Sequence, residues 1–278
     1  MVRKDAEAYL AACARKVDRA LDRFLPKPSG SLATLYEAIR YMVLPGGKRI
    51  RPAVVMASCE AFGGKAETAL PAACAVELIH SYSLVHDDLP CMDDADSRRG
   101  RPSCHIKYGE AGAVLVGDAL QAMAFEVLGP KGELAAELAR WVGPEGLVGG
   151  QVLDLEKGPA TLERVREIHA RKTAALFIAS ARLGACSAPK ALPKDLARME
   201  AYGRSVGLLF QTVDDLLDRA EEPDKLTLPG VGGVDEAFEE ARTLAARARK
   251  AAGGNARLAQ IADLVVGQVE PALARKSK

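Results

Sequence analysis

Two groups of aspartates, far apart in the 278-residue chain, are the residues best suited to chemistry. The first group places five carboxylates within ten residues, from Asp87 to Asp96. Like charges this close repel one another and raise each other's pKa unless a cation lies among them. Oxygen-only ligands suit Mg²⁺, which usually binds one or two carboxylates together with substrate phosphates. The first group therefore predicts a magnesium site.

Arginines follow the first group directly. Arg98, Arg99 and Arg101 lie within five residues of Asp96, and a guanidinium fork matches the oxygens of a phosphate group. Negative and positive charge side by side are typical of a site where a metal ion and arginines share one phosphate-bearing ligand.

The helix expected before Asp87 should end close to that residue. Pro90 has no N–H to donate and clashes with the carbonyl four residues back, so it breaks or bulges a helix there. Helical geometry therefore leaves open whether Asp93 or Asp94 joins Asp87 at the metal.

The second group consists of Asp214, Asp215 and Asp218, in a segment whose apolar spacing predicts a helix. Asp214 and Asp218 are four residues apart and therefore share one face of that helix. A lone acidic run is usually a solvated surface. Two such groups in an apolar helical background, one of them beside an arginine pair, instead indicate a shared metal and diphosphate site.

Four segments together resemble the trans-polyprenyl diphosphate synthase family, and most of all its bacterial farnesyl diphosphate synthase type. The resemblance runs from about Leu32 to Lys225, with the segments in the family's order and approximate spacing. The segments are Gly46 to Pro52, His86 to Pro102 with its DDLPCMDD core, His169 to Thr173, and Phe210 to Asp218.

The resemblance implies a prenyltransferase that condenses isopentenyl diphosphate head-to-tail with dimethylallyl or geranyl diphosphate. Farnesyl diphosphate would be the product, and geranyl or geranylgeranyl diphosphate are the alternatives. The reaction would proceed by Mg²⁺-assisted ionisation of the allylic diphosphate, condensation and proton elimination, without a protein nucleophile.

The family pattern also implies roles for individual residues. The metal ligands, around three Mg²⁺ ions, would be Asp87, Asp93 and Asp214, supported by Asp88, Asp215 and Asp218. Isopentenyl diphosphate would be bound by Lys48, Arg51, His80 and Arg99. The allylic diphosphate would be bound by Arg98, Lys172, Thr173, Gln211 and Lys225. The residues expected to act in catalysis are Asp87, Asp88, Asp93, Asp214, Asp215 and Lys172.

Product length should depend on the depth of the cavity below the metal site. Tyr82 and Ser83 precede Asp87 by five and four residues, which on a helix places them about 6 to 7.5 Å below it. In the resembling family, an aromatic residue at the position of Tyr82 goes with farnesyl diphosphate. The alternative is that Tyr82 packs between helices and the floor of the cavity lies elsewhere.

Three features depart from the family pattern. Ala95 replaces an acidic or amide residue, and Val213 replaces the glutamine that usually precedes the second aspartate pair. The connection after Asp218 is shorter than in the family and keeps one lysine, Lys225, where two normally occur. Weaker metal closure or weaker binding of the allylic diphosphate is therefore expected.

The rest of the chain predicts an all-α fold. Apolar residues recur at helical spacing, and strand-like alternation never lasts beyond three or four residues. We expect one domain over residues 1–278, an isoprenoid-synthase-type bundle of helices around a central cavity. The predicted helices include Thr68 to His86, Thr161 to Cys186, Lys194 to Arg219 and Ala256 to Ala274, with a loop over Glu221 to Gly233.

Composition limits the partners of the protein. The formal net charge is +1, so nothing points to nucleic acid or to an anionic membrane surface. The six cysteines lack paired spacing, as in reduced proteins, and we find neither a signal-peptide core nor a stretch of about 18 apolar residues. We expect a cytoplasmic protein without stable membrane insertion, and a homodimer.

Two other functions share part of the pattern. A terpene cyclase would have the acidic groups and the helical cavity, but the basic segment Gly46 to Pro52 argues for a second diphosphate site that a cyclase does not use. A non-catalytic partner subunit would keep the fold without turnover, and the presence of both acidic groups argues against it.

Overall fold

The computed structural model describes residues 2–218 and 226–269 of the chain. The protein is 76% helical, which confirms the predicted all-α isoprenoid-synthase fold. The helices are α1 (Val2–Phe24), α2 (Ala33–Val43), α3 (Ile50–Ala61), α4 (Ala66–Asp87), α5 (Cys104–Tyr108), α6 (Glu110–Glu126), α7 (Gly132–Val142), α8 (Leu147–Leu155), α9 (Leu162–Ile168), α10 (Ala175–Cys186), α11 (Pro193–Asp218), α12 (Leu228–Gly232), α13 (Val234–Ala252) and α14 (Ala256–Val266). A 3₁₀ turn covers Gly30–Leu32, and a π-helical turn over His169–Ala174 joins α9 to α10.

Helix α4 lies in the core and packs against α3, α6 and α10. All of its residues from Ala72 to Ile79 are buried, and all of them except Glu77 are apolar, as expected for a helix that neighbours cover on every side. Each fully buried Leu, Ile or Val contributes about 1.5–3 kcal/mol. By length and composition α4 could also cross a membrane, but 67% of the window that qualifies is buried inside the protein.

Helices α10 and α11 form the second half of the core. They pack along each other, α10 also contacts α3, and α11 also contacts α13. A smaller apolar cluster joins α9, α11, α13 and α14 through Val165, Leu209, Phe238 and Val265. All six cysteines are free thiols, and four of them are buried.

Helix α4 ends shortly before Pro90, as the sequence predicts. Helix α4 ends at Asp87, and the next residues form a turn in which the N–H of Asp93 donates to the carbonyl of Asp87 at 2.9 Å. Asp94 has a φ of 51°, a left-handed conformation that is uncommon for a residue other than glycine. The predicted break at Pro90 is confirmed.

A short hairpin follows that the sequence did not predict. Strands β1 (Ser97–Arg98) and β2 (Arg101–Pro102) pair antiparallel. Arg99 and Gly100, with φ values of 55° and 72°, form the two-residue turn, and positive φ at both central positions matches the twist of the flanking strands. Strands of two residues have no periodicity that a sequence pattern could reveal.

Three further boundaries differ from prediction. The helix predicted over Thr161 to Cys186 contains the π-helical turn, and the loop predicted over Glu221 to Gly233 contains α12. Helix α12 begins where the side chain of Thr227 accepts from the N–H of Gly230. Helix α14 ends at Val266 rather than at Ala274, with Gly267 as its C-cap.

Candidate active site

The two aspartates at the end of α4 have different surroundings. Asp88 is fully buried, and its carboxylate accepts from Nε of Arg98 at 3.0 Å and from the adjacent Nη2. Asp87 is half-buried, and no described residue donates a hydrogen bond to its carboxylate. Burial raises the pKa of Asp87 to about 6, against the opposing charge of Lys172 and with the help of Asp93.

The pair in α11 repeats this division. Asp215 is buried. Its Oδ1 accepts from Nε2 of Gln211 at 2.9 Å, and its Oδ2 accepts from the N–H of Leu228 at 2.9 Å. Asp214 is half-buried, and burial raises its pKa to about 7, with a further contribution from the charge of Asp218. The first aspartate of each pair thus keeps an open carboxylate, while the second is held by the protein.

These carboxylates fit a hard divalent cation. A buried carboxylate without a counter-charge has a raised pKa, and a bound cation reverses that shift. Asp93 and Asp218 are exposed and lie beside the two open carboxylates. Among the described residues no group of three or more metal-ligating side chains converges on one point. A bound Mg²⁺ would therefore take its remaining oxygens from water and from a substrate diphosphate, as Mg²⁺ usually does.

The π-helical turn connects the surroundings of the two pairs. Nζ of Lys172 lies 2.6 Å from Oδ2 of Asp154, and its charge also acts on Asp87. The neighbouring Thr173 donates from Oγ1 to Oε1 of Gln211 at 2.7 Å, and Gln211 lies one helical turn before Asp215. Lys172 and Thr173 are therefore placed between the α4 side and the α11 side.

Close packing holds this turn in place. A Cβ on Gly150 of α8 would lie 2.1 Å from the backbone nitrogen of Lys172, so only glycine permits α8 to approach so closely. Nε2 of His169, in the same turn, lies 3.4 Å from Oδ2 of Asp215. π-Helical turns inside α-helices are frequent at functional sites. His169 begins one of the segments that carry the family resemblance, but its contact with Asp215 and the contact of Asp154 with Lys172 do not follow from the sequence.

A basic turn between α2 and α3 carries two of the predicted anion ligands. Nζ of Lys48 donates to Oε1 of Gln268 at 2.8 Å. The guanidinium of Arg51 lies over the ring of Phe177, 4.5 Å from its centroid, and its Nε is buried without a hydrogen-bond partner among the described residues. Burial lowers the pKa of Arg51 to about 10, although the charges of Glu77 and Asp214 oppose this. An arriving anion would supply the missing partner.

His80 and Arg99 complete this basic region. Arg99 donates from Nη1 to the carbonyl oxygen of Gly46, and its guanidinium lies 3.2 Å from where a Cβ of Gly47 would be. Burial and the charges of Arg51 and Arg99 lower the pKa of His80 well below its ordinary value, which keeps the imidazole neutral. The charges of Arg51 and Arg99 therefore act on His80, whereas the side chain of Lys48 is held at Gln268.

Tyr82 is buried on α4. Its ring meets the ring of His86 edge-on at 5.4 Å. Nε2 of His86 lies 3.1 Å from the carbonyl oxygen of Val114, and the same ring fills the space that a Cβ on Gly117 would need. Burial and the charge of Asp87 raise the pKa of the Tyr82 hydroxyl. The capping role of Tyr82 and its alternative, packing between helices, both stay predictions.

Three predicted roles remain untested by this geometry. Asp88 holds Arg98, which gives it a structural contact besides the metal ligation expected of it. Ser83 donates from Oγ to the carbonyl oxygen of His80 at 3.0 Å. Lys225 lies outside the described residues.

Known proteins match this chain over most of its length. Residues 32–232 match the family model described as Polyprenyl synthetase. The chain is 43% identical to the heterodimeric geranylgeranyl pyrophosphate synthase large subunit 1, chloroplastic, of Arabidopsis thaliana, over 88% of this chain and 73% of that protein. It is 41% identical to the geranylgeranyl diphosphate synthase of Cyanophora paradoxa, over 87% of this chain and 88% of that protein.

Two solved structures have the same fold. An FPP/GFPP synthase from Zymomonas mobilis matches with a TM-score of 0.86 and 36% identity, over 95% of this chain and 99% of that chain. A geranyltransferase from Legionella pneumophila matches with a TM-score of 0.85 and 28% identity, over 98% of this chain and 100% of that chain.

Proposed function

The chain belongs to the polyprenyl synthetase family and is a trans-prenyltransferase of isoprenoid biosynthesis, and from this premise we propose its product and the roles of its residues. The family implies isopentenyl diphosphate and an allylic diphosphate as substrates. We propose that the protein condenses them head-to-tail to farnesyl diphosphate. The observation that supports this best is the pair of open carboxylates, Asp87 and Asp214, each followed by an aspartate that the protein holds.

The allylic diphosphate would occupy the space between the two acidic groups. Mg²⁺ bound by Asp87, Asp93 and Asp214 would neutralise this diphosphate as a leaving group. Lys172 and Arg98 would bind its remaining oxygens with charge-assisted hydrogen bonds. Asp154 and Asp88 hold these two cations, so both are oriented before the substrate arrives.

Isopentenyl diphosphate would bind at the basic turn. Lys48, Arg51 and Arg99 would bind its diphosphate, and neutral His80 would add a hydrogen bond without adding charge. The double bond of isopentenyl diphosphate would then attack the allylic cation, and a proton would leave the adjacent carbon, with the released diphosphate as the nearest base. The surrounding apolar helices would exclude water, which would otherwise capture the cation.

The length of the product is the most specific part of the proposal. Tyr82, five residues before Asp87, supports a cavity short enough to stop at farnesyl diphosphate. The second candidate is geranylgeranyl diphosphate, because the similar curated proteins from Arabidopsis thaliana and Cyanophora paradoxa are named as synthases of that product.

Mass analysis of the products tests this proposal. Purified protein is supplied with isopentenyl diphosphate, Mg²⁺ and either dimethylallyl or geranyl diphosphate. We expect farnesyl diphosphate from both starters, and Tyr82→Ala should lengthen the product. A C20 product from the unchanged protein would favour the second candidate, and unchanged length in Tyr82→Ala would place the floor elsewhere. Turnover that does not need isopentenyl diphosphate would indicate a cyclase, and no turnover would indicate a partner subunit.

We also propose a cytoplasmic homodimer. Support for self-association comes from large apolar side chains on α5 and α6 that remain exposed, Ile106 (52%), Val114 (41%) and Leu115 (59%). Exposed apolar surface of this kind is typical of protein–protein contacts. Analytical ultracentrifugation should give twice the chain mass, and Leu115→Glu should give the mass of one chain.

A further inference from the structure

A buried carboxylate lies behind the basic turn. Glu77 is 3% exposed and lies on α4, three residues before His80. Its Oε1 accepts from Nη1 of Arg49, whose side chain is fully buried. Removing both charges from water is unfavourable, so stability alone is a weak reason for a buried ion pair. Its place between the basic turn and the helix of His80 suggests a role in the site.

Arg49 is held in an unusual backbone conformation. Its φ of 46° and ψ of 37° are left-handed, which is uncommon for a residue that is not glycine and persists where the surroundings fix it. Nε donates to Oδ1 of Asp18 at 2.9 Å, and Nη2 donates to the carbonyl oxygen of Val43 at 2.7 Å. With Glu77, these contacts fix the side chain at three points, from α1, α2 and α4.

The conformation of Arg49 decides where its neighbours lie. Lys48 precedes it directly and Arg51 follows two residues later, in the first turn of α3. If Arg49 were released, relaxation to a common backbone conformation would rotate Lys48 relative to Arg51. The contact with Glu77 also ties this turn to α4, which carries His80.

The charge of Glu77 also acts on two other arginines of this region, Arg51 and Arg99. Its charge favours the protonated forms of Arg51 and Arg99, opposing the burial that lowers the pKa of both. One carboxylate therefore faces three guanidinium groups that would otherwise repel one another.

We propose that Glu77 is a positioning residue for isopentenyl diphosphate: through Arg49 it fixes the backbone of the basic turn, and with it the positions of Lys48 and Arg51, relative to the helix of His80. Glu77 does not touch the substrate in this account. The inference rests on the proposed function, because it assigns the basic turn to that substrate.

Glu77→Gln tests the inference, because it keeps the shape of the side chain and removes its charge. We expect the KM for isopentenyl diphosphate to rise at least tenfold, while the KM for geranyl diphosphate changes less than twofold. The matched control is Asp18→Asn, which removes the other carboxylate on the same guanidinium. Asp18 is 41% exposed and the amide introduced there could still accept from Nε of Arg49, so we expect a much smaller rise in the KM for isopentenyl diphosphate than Glu77→Gln gives, and less than a twofold change in the KM for geranyl diphosphate.

Three further variants keep the test decisive. Arg49→Lys retains the charge but cannot make three directed contacts, so it should show the same selective rise. Because Glu77 acts through Arg49, combining Glu77→Gln with Arg49→Lys should raise this KM little beyond the larger single effect. Glu77→Asp should restore the KM to within about threefold of the unchanged protein. If Glu77→Gln does not fold, Arg49→Lys decides alone.

Two results would overturn the inference. One is an unchanged KM for isopentenyl diphosphate in the folded variants, and the other is an equal rise in both KM values, which a merely structural role would produce. Calorimetric binding of isopentenyl diphosphate to the unchanged protein separates this failure from failure of the proposed function. If the unchanged protein binds and uses that substrate but the variants behave as it does, only the inference about Glu77 is wrong.

Discussion

Each aspartate pair has one open and one held carboxylate, but different parts of the chain hold the second aspartate in the two pairs. At the end of α4 the chain itself supplies the partner of Asp88, because the hairpin returns Arg98 to it ten residues later. In α11 the helix continues through the pair, and only one partner of Asp215, Gln211, comes from the same helix, while remote segments supply His169 and the N–H of Leu228. The first site is locally self-contained, whereas the second depends on how the connection after Asp218 returns.

This difference bears on the shortened connection. Because Leu228 is anchored on Asp215, the chain after Asp218 is tied back to the helix it has just left. The anchor fixes Asp215 rather than Asp214, so the open carboxylate stays available for a metal. A short connection is therefore compatible with an intact second metal site.

Removing an open carboxylate should have the largest effect. Asp87→Asn and Asp214→Asn should each lower kcat/KM for the allylic substrate by about 10²–10³-fold, the size expected for losing one electrostatic contact to developing charge. Steady-state kinetics with saturating isopentenyl diphosphate measures this. A loss in one variant without a similar loss in the other would mean that only one acidic group serves the reaction.

Removing a held carboxylate should affect stability instead, and unequally. Asp88→Asn leaves the partly buried Arg98 without its counter-charge and should cost about 2–4 kcal/mol. Asp215→Asn replaces one acceptor oxygen by a donor and should cost about 1–3 kcal/mol. Urea unfolding measures both, with the exposed Asp96→Asn as control. If neither substitution lowered the free energy of unfolding measurably, the division between open and held aspartates would be contradicted.

The open carboxylates should make the metal-free protein less stable as pH rises. Their ordinary pKa is 3.8, and in the folded protein it is about 6 for Asp87 and about 7 for Asp214. Between about pH 4 and 7 the folded state therefore binds more protons than the unfolded state, so the free energy of unfolding falls as pH increases.

The same shift predicts a stabilising substitution. Asp214→Asn should stabilise the metal-free protein at pH 8 by about 1–2 kcal/mol, after allowance for partial exposure, and should flatten the pH dependence. Denaturant unfolding with a chelator between pH 4 and 8 measures this. A destabilised Asp214→Asn protein at pH 8 would show that its carboxylate has a favourable internal partner.

The sequence predicts the acidic residues of the site better than it predicts the contacts that position them. The two acidic groups and the end of α4 at Asp87 follow from local rules, since charge repulsion and Pro90 act within a few residues. The partner of Asp215 does not follow, because Leu228 reaches it through the fold and not through any periodic pattern. The π-helical turn likewise depends on tertiary packing against Gly150, which a helical apolar pattern does not reveal.

The buried pair of Glu77 and Arg49 was missed for a similar reason. Nothing in the spacing of α4 distinguishes Glu77 from an acidic residue on a solvated helix face. Arg49 resembles its basic neighbours in sequence, and its left-handed backbone becomes evident only in three dimensions.

The central claim is that Asp87 and Asp214 hold one diphosphate together. Calorimetry with a non-ionising thiolodiphosphate analogue of geranyl diphosphate, in the presence of Mg²⁺, measures this for Asp87→Asn, Asp214→Asn and the double variant. Each single substitution should weaken binding at least tenfold, and the double variant should bind little more weakly than either single one, because the shared ligand is already lost. The claim would be contradicted if the losses of binding free energy in the two single variants added fully in the double variant. It would also be contradicted if either single variant bound the analogue as tightly as the unchanged protein.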